Sequence, residues 1–195
     1  MNIGIYLYDN AEVLDFSGPY EVFTTANRVN SNGQDFNVFL IAEQATPVTA
    51  RAGYRVLPDY SIANHPKLDV LIVVGGVHTD EMYKVGVLEW IKTQEMQVPL
   101  IASVCTGAFI LAQAGILNQH SVTTHWEDIP DLKQRFPKLK VQENVRWVKD
   151  GNRISSGGIS AGIDMSLFIV SELLGMDIAE ATAKQMEFRW EQNPD

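Results

Sequence analysis

A chain of 195 residues is long enough to bury a sizeable core and fits one domain, residues 1–195. Hydrophobic residues make up 46% and charged residues 20%, ordinary for a soluble globular protein; the apolar runs fall far short of a membrane span, and MNIGIYLYDN lacks the basic start and long apolar stretch of a secretory signal, so cytoplasmic residence is expected. The formal charge of −9, from 15 basic and 24 acidic residues with no basic stripe, gives no support to a nucleic-acid partner.

In chain order, Ile3 to Tyr8 is a short β-rich run. Ser17-Gly18-Pro19 opens a helical pattern with Tyr20, Val22, Phe23 and Ala26 as apolar positions, proline being suited to a helix's first turn. Phe36 to Ala42 is a second strand, and Pro47 to Leu57 reads as a small hairpin around Ala52-Gly53. Asp69 to Val74, DVLIVV, is a continuous apolar run stopped by Gly75-Gly76, as expected of a parallel strand buried on both faces. A helix over roughly Met82 to Met96 leads to a further buried strand, Val98 to Val104, and a helix from Thr106 to Ala114. Beyond it come a short strand, Ser121 to Thr124, and a helix, Glu127 to Phe136, ended by Pro137. Val145 to Val148 and Arg153 to Ser155 flank Asp150-Gly151, which favours a hairpin. After the glycine-rich SSGGISAG, helices at about Ile163 to Leu174 and Ile178 to Trp190 close the chain. Strands alternating with helices predict a doubly wound α/β fold, whose ligands bind beyond the carboxyl ends of the strands.

Cys105 is the one cysteine, which excludes an intramolecular disulfide. A free cysteine is often a small buried hydrophobe. This one falls between a buried strand and a helix beginning Thr106-Gly107-Ala108, the setting of a nucleophile elbow. Unpaired N–H groups at a helix start favour negative charge, so its thiol is expected to ionise more readily than in solution. The Gly75-Gly76 pair is either a turn or a source of backbone N–H groups for a developing charge; Gly76 and Thr106 N–H groups could then face one substrate atom. Asp15, in VLDFSGPYEVF after the first strand, is the acid candidate, able to hold or shuttle a proton if burial raises its pKa. Glu21 is its rival and reads more simply as a first-turn helix acid. Among the histidines, His65 and His120 read as surface residues, His78 could line the pocket mouth, and His125 in TTHW is the best supporting residue. No spacing suggests a metal site, and the glycine-rich stretch lacks the lysine of a phosphate loop.

VLDFSGPYEVF, DVLIVVGG, IASVCTGAFILAQAGIL, VTTHW and SSGGISAGIDMSL together resemble the ThiJ/PfpI superfamily, of the class I glutamine-amidotransferase-like fold, in family order and over nearly the whole chain. The resemblance implies a flavodoxin-like, mostly parallel sheet with helices on both faces, a homodimer, and Cys105 as nucleophile. Many members carry histidine after the cysteine; Thr106 stands there in this chain, which weighs against a protease-like site. Aspartate in LDFSGP and Cys-Thr at the elbow look like the isonitrile hydratase branch. That likeness implies a thioimidate on Cys105, proton transfer by Asp15, Thr106 positioning substrate or water, and no cofactor. A cofactor-independent glyoxalase or deglycase is an alternative. So is a non-enzymatic small-molecule or redox sensor like the amino-terminal domains of AraC-type regulators, although no helix-turn-helix is expected after Trp190.

Overall fold

The computed structural model describes residues 1–31, 33 and 35–192. Strand β1 (Asn2–Tyr6) leads through α1 (Val13–Val29) to β2 (Asn37–Ala42). A small antiparallel hairpin, β3 (Val48–Thr49) and β4 (Arg55–Val56), turns through Ala52 and Gly53, both at positive φ. Then come β5 (Tyr60–Ser61), β6 (Val70–Val73), α2 (Val85–Glu95), β7 (Leu100–Val104) and α3 (Gly107–Gln113). The rest of the chain runs β8 (Ser121–Val122), α4 (Ile129–Arg135), β9 (Lys140–Val141), β10 (Trp147–Asp150), β11 (Arg153–Ser156), α5 (Ala161–Leu174) and α6 (Met176–Gln185).

The main sheet has seven strands in the order β10-β11-β7-β6-β1-β2-β5. Every neighbouring pair is parallel except β10 with β11, the hairpin that Asp150-Gly151 marks. Strands β6 and β7 lie inside the sheet, and all four residues of β6 are buried, as a run without polar alternation requires. Helices α1, α5 and α6 pack together, as do α2 and α3. This is the doubly wound α/β architecture that the alternation of strands and helices predicts, in the flavodoxin-like form that the resemblance implies. Because β1, β6, β7 and β11 run in one direction, the segments that follow them emerge at one edge of the sheet.

Three expectations need correction. Helix α1 starts at Val13, so Pro19 lies inside it and Asp15 belongs to its first turn, with its N–H on the Glu12 carbonyl at 3.1 Å. Pro19 lacks the N–H that would close on the Asp15 carbonyl, which is why the sequence reads as a later start. The last helix ends at Gln185, not Trp190. Glu187 takes a positive φ, and Phe188 and Trp190 fold back against the core with the Trp190 indole N–H on the Asp164 carbonyl at 3.2 Å. Their apolar spacing therefore reports packing by a reversed chain. Strand β8 is only Ser121–Val122 and pairs with β9 outside the main sheet; Thr123 and Thr124 leave the ladder to bond Ser155 and Cys105.

Candidate active site

Cys105 is the first residue beyond β7 and sits at φ 55°, a left-handed conformation costing a non-glycine residue roughly 1–2 kcal/mol. Its N–H is shared between the Ser156 and Gly157 carbonyls, each at 3.2 Å, and its carbonyl accepts the Thr124 hydroxyl at 2.8 Å. Flanking strands thus hold the strained turn from both sides. The sulfur faces a cavity of about 460 Å³ that Gly76, His78, Thr106, His125 and Ile159 also line.

Asp15 is fully buried, and the Cys105 thiol close by favours its charged form. One carboxyl oxygen accepts the Gly75 N–H at 3.1 Å and the other the Ile159 N–H at 3.0 Å. Burial outweighs these donors and pushes its pKa up to about 7. The thiol moves opposite to expectation. Burial first, and then the Asp15 charge, push Cys105 well above the ordinary thiol range, although the Thr106 N–H and hydroxyl favour the thiolate. A seven-residue helix start is too weak to offset desolvation beside a carboxylate. Cysteine and aspartate accordingly compete for protons, as any two acids in one buried site must.

The glycine pair serves packing more than charge. A Cβ on Gly75 would lie 2.6 Å from the Thr106 nitrogen and 2.7 Å from the Cys105 Cβ, so only glycine lets β6 end against the elbow. The Gly75 N–H is taken by Asp15, and the Gly76 N–H donates to the Thr106 hydroxyl at 3.0 Å. That hydroxyl donates in turn to the Gly76 carbonyl at 3.0 Å. Thr106 therefore staples two strand ends together, and its N–H and hydroxyl favour the thiolate of Cys105. Gly76 and Thr106 do not present a shared pair of free N–H groups as expected.

His125 reaches the site. A Cβ on Gly158 would stand 2.4 Å from the His125 Cδ2 and 3.1 Å from the Cys105 sulfur, so both flank the space that this glycine leaves empty. The imidazole Nδ1 lies 3.5 Å from the Asp128 carboxylate. Gly158→Ala should displace the His125 ring and slow alkylation of Cys105 by iodoacetamide several-fold without loss of fold; the alkylation rate and a thermal melt of the variant check this. His78 lines the same cavity, its ring against Phe109 at 4.4 Å; burial holds its pKa below the usual histidine value, and its Nε2 has no partner. Glu21 is not brought to the site: it is exposed further along α1, accepting the Thr25 hydroxyl at 3.1 Å. Among the described residues no cluster of histidine, cysteine and carboxylate side chains could hold a metal.

Sequence reasoning missed Ile159, Thr124 and Tyr8. Ile159 lies in the glycine-rich stretch and combines a φ of 57° with an N–H on Asp15. The repeated glycines signalled a tight approach there, but not which backbone group would be used. Tyr8 is buried near the site, and its phenol oxygen has no hydrogen-bond partner among the described residues. Burial first, and then the charges of Glu81, Asp15 and Cys105, keep it protonated. Nothing in its apolar strand context distinguishes it from a core residue.

Comparison with known proteins adds to this geometry. A family model described as the DJ-1/PfpI family matches residues 1–172. The chain is 34% identical to the isonitrile hydratase of Pseudomonas putida, over 96% of this chain and 78% of that protein. It is 27% identical to the HTH-type transcriptional regulator GbdR of Pseudomonas aeruginosa, covering 94% of this chain but only 49% of the regulator. A crystal structure of a THiJ/PfpI family protein from Pseudomonas syringae superposes with a TM-score of 0.86 at 27% identity, covering 100% of this chain and 76% of that one.

Proposed function

Because the chain belongs to the DJ-1/PfpI family, we propose that it is a cysteine-dependent enzyme that hydrates an isonitrile to an N-substituted formamide. The observation that carries this reading is the buried pair of Cys105, at positive φ, and Asp15, whose pKa is pushed up to about 7. The likeness to an isonitrile hydratase supports the substrate class.

The isonitrile carbon both accepts a nucleophile and takes up a proton, so the thiol need not ionise beforehand. As the S–C bond forms, the thiol proton passes to the Asp15 carboxylate, and Asp15 delivers a proton to the same carbon. The product is a thioimidate, R–N=CH–S–Cys105. Water adds across the C=N bond, the nitrogen gains a proton, and the C–S bond breaks. The formamide R–NH–CHO leaves, and the sulfur recovers its proton. A carboxyl group with a pKa near the working pH can take and give the proton at equal cost. Thr106, whose N–H and hydroxyl favour the thiolate, stabilises charge as it develops on the sulfur. No step calls on a cofactor.

The experiment is turnover of a panel of isonitriles by the purified chain, read as formamide, with methylglyoxal and peroxide alongside. Formamide release supports the hydratase; lactate from methylglyoxal would replace it with the glyoxalase reading. The second reading, a ligand-sensing domain, is favoured by the likeness to GbdR. Binding of an isonitrile or formamide without turnover would select it. We also propose a two-fold homodimer, which light scattering at micromolar protein would show as twice the 21.7 kDa chain mass.

A further inference from the structure

Three carboxyl side chains, Glu12, Glu127 and Asp128, line the Cys105 cavity, with Arg51 the one lysine or arginine among its described lining residues. Arg51 is itself 3.5 Å from Glu12, so the lining is net acidic. The cavity shares His125 and Ile159 with an open cleft of about 860 Å³. Trp126, Ile129, Pro130 and Val145 form the apolar part of that cleft. Its two basic side chains are already committed, Lys133 to Glu143 and Arg146 to the buried Asp164. Trp126 is 75% exposed at the rim, with its ring 5.9 Å from that of His125. An exposed indole beside a reactive cavity is apolar surface that folding leaves uncovered.

We propose that this cleft is the subsite for the substituent of the substrate, and that it selects uncharged, aryl-sized groups stacked on Trp126 over small or anionic ones. The inference rests on Cys105 as the group that meets the electrophile. An electrophilic carbon at the sulfur forces the rest of a linear R–N≡C molecule outward, and the cleft that shares His125 and Ile159 with the cavity is the larger space beside it. A carboxylate-bearing group meets like charge in the cavity lining, while Lys133 and Arg146 of the cleft are already paired with Glu143 and Asp164. A flat apolar group gains contact with the indole and the Ile129, Pro130 and Val145 wall.

Alkylation of the single cysteine tests the cleft without requiring turnover. Iodoacetamide, N-benzyl iodoacetamide and iodoacetate would be compared by mass spectrometry, each rate divided by that with free cysteine. The benzyl reagent is expected to gain about tenfold over iodoacetamide, and iodoacetate to fall several-fold below it. Trp126→Ala should erase the benzyl advantage over iodoacetamide, and Trp126→Phe should keep most of it. Equal normalised rates, or a Trp126→Ala loss shared by all three reagents, overturns the proposal. So does a change of oligomer mass in Trp126→Ala with the rate ratio intact, which would make the cleft an interface. In parallel, benzyl isonitrile should be turned over more efficiently than methyl isonitrile. Turnover without that preference removes the subsite and leaves the hydratase; a labelling preference without any turnover removes the hydratase and leaves the subsite.

Discussion

Asp15→Asn is expected to lower isonitrile turnover by about 10²-fold or more, the scale of a positioned acid–base group. Asparagine keeps the shape of the side chain and loses the proton that must travel from sulfur to carbon. Glu21→Gln is the matched control, since Glu21 is exposed on the same helix and absent from the cavity lining; it should leave the rate near that of the unaltered chain. The same substitution has a second readout. Asp15 is pushed up to about 7 in the folded chain, against about 4 for an unfolded aspartate. Across that window the folded state binds more protons than the unfolded state, so stability falls as pH rises from about 4 to 7 and levels off above it. The loss is on the order of a few kcal/mol, and Asp15→Asn should lack it. Denaturant unfolding between pH 5 and 8 measures this: a parallel slope in the two proteins would mean that Asp15 does not carry the buried proton. Near-native turnover by Asp15→Asn would move the acid role elsewhere in the cavity, with His78 and His125 next to be examined.

Cys105→Ala should abolish turnover and every covalent adduct, because the thioimidate has no other sulfur on which to form. It should also abolish the pH dependence that the thiol imposes. In the unaltered chain, burial and the Asp15 charge hold the thiol above its ordinary range. Alkylation by iodoacetamide, which needs the thiolate, is therefore expected to stay slow at neutral pH and climb well past pH 9. Thiolate absorbance against pH, with Cys105→Ala as blank, checks this directly. A thiol already ionised at pH 7 would mean that the helix start and the Thr106 donors outweigh desolvation.

The fold was largely legible in the chain because its determinants are local. DVLIVV and VPLIASV lack polar alternation, so each had to be covered on both faces. Asp150-Gly151 marked the one antiparallel pair in the main sheet. Cys105 and Asp15 were legible as well, since both follow strands that end on the same edge. What the sequence hid is how their surroundings act on them. A helix start beside a thiol predicts easier ionisation only where the thiol is solvated; the fold buries it beside a carboxylate, and the sign reverses. Gly75-Gly76 looked like a charge-binding turn, yet one N–H is consumed by Asp15 and the other by Thr106. Glu21 resembled Asp15 in type and neighbourhood. Six positions further along a helix is roughly 9 Å and a different face, which sends it to solvent.

The Ile159 N–H that holds Asp15 comes from a residue 144 positions later in the chain. During synthesis at about 5–20 residues per second, the Asp15 carboxyl therefore waits roughly 7 to 30 s for that partner to be made. Strand β11, which supplies the Ser156 carbonyl to the Cys105 N–H, is equally late. A nascent chain shorter than about 160 residues thus carries the nucleophile and the acid without the backbone that strains one and buries the other. Completion of the sheet is therefore what moves both groups away from their ordinary pKa values; until then the Cys105 thiol is solvated and ionises more readily than in the folded chain.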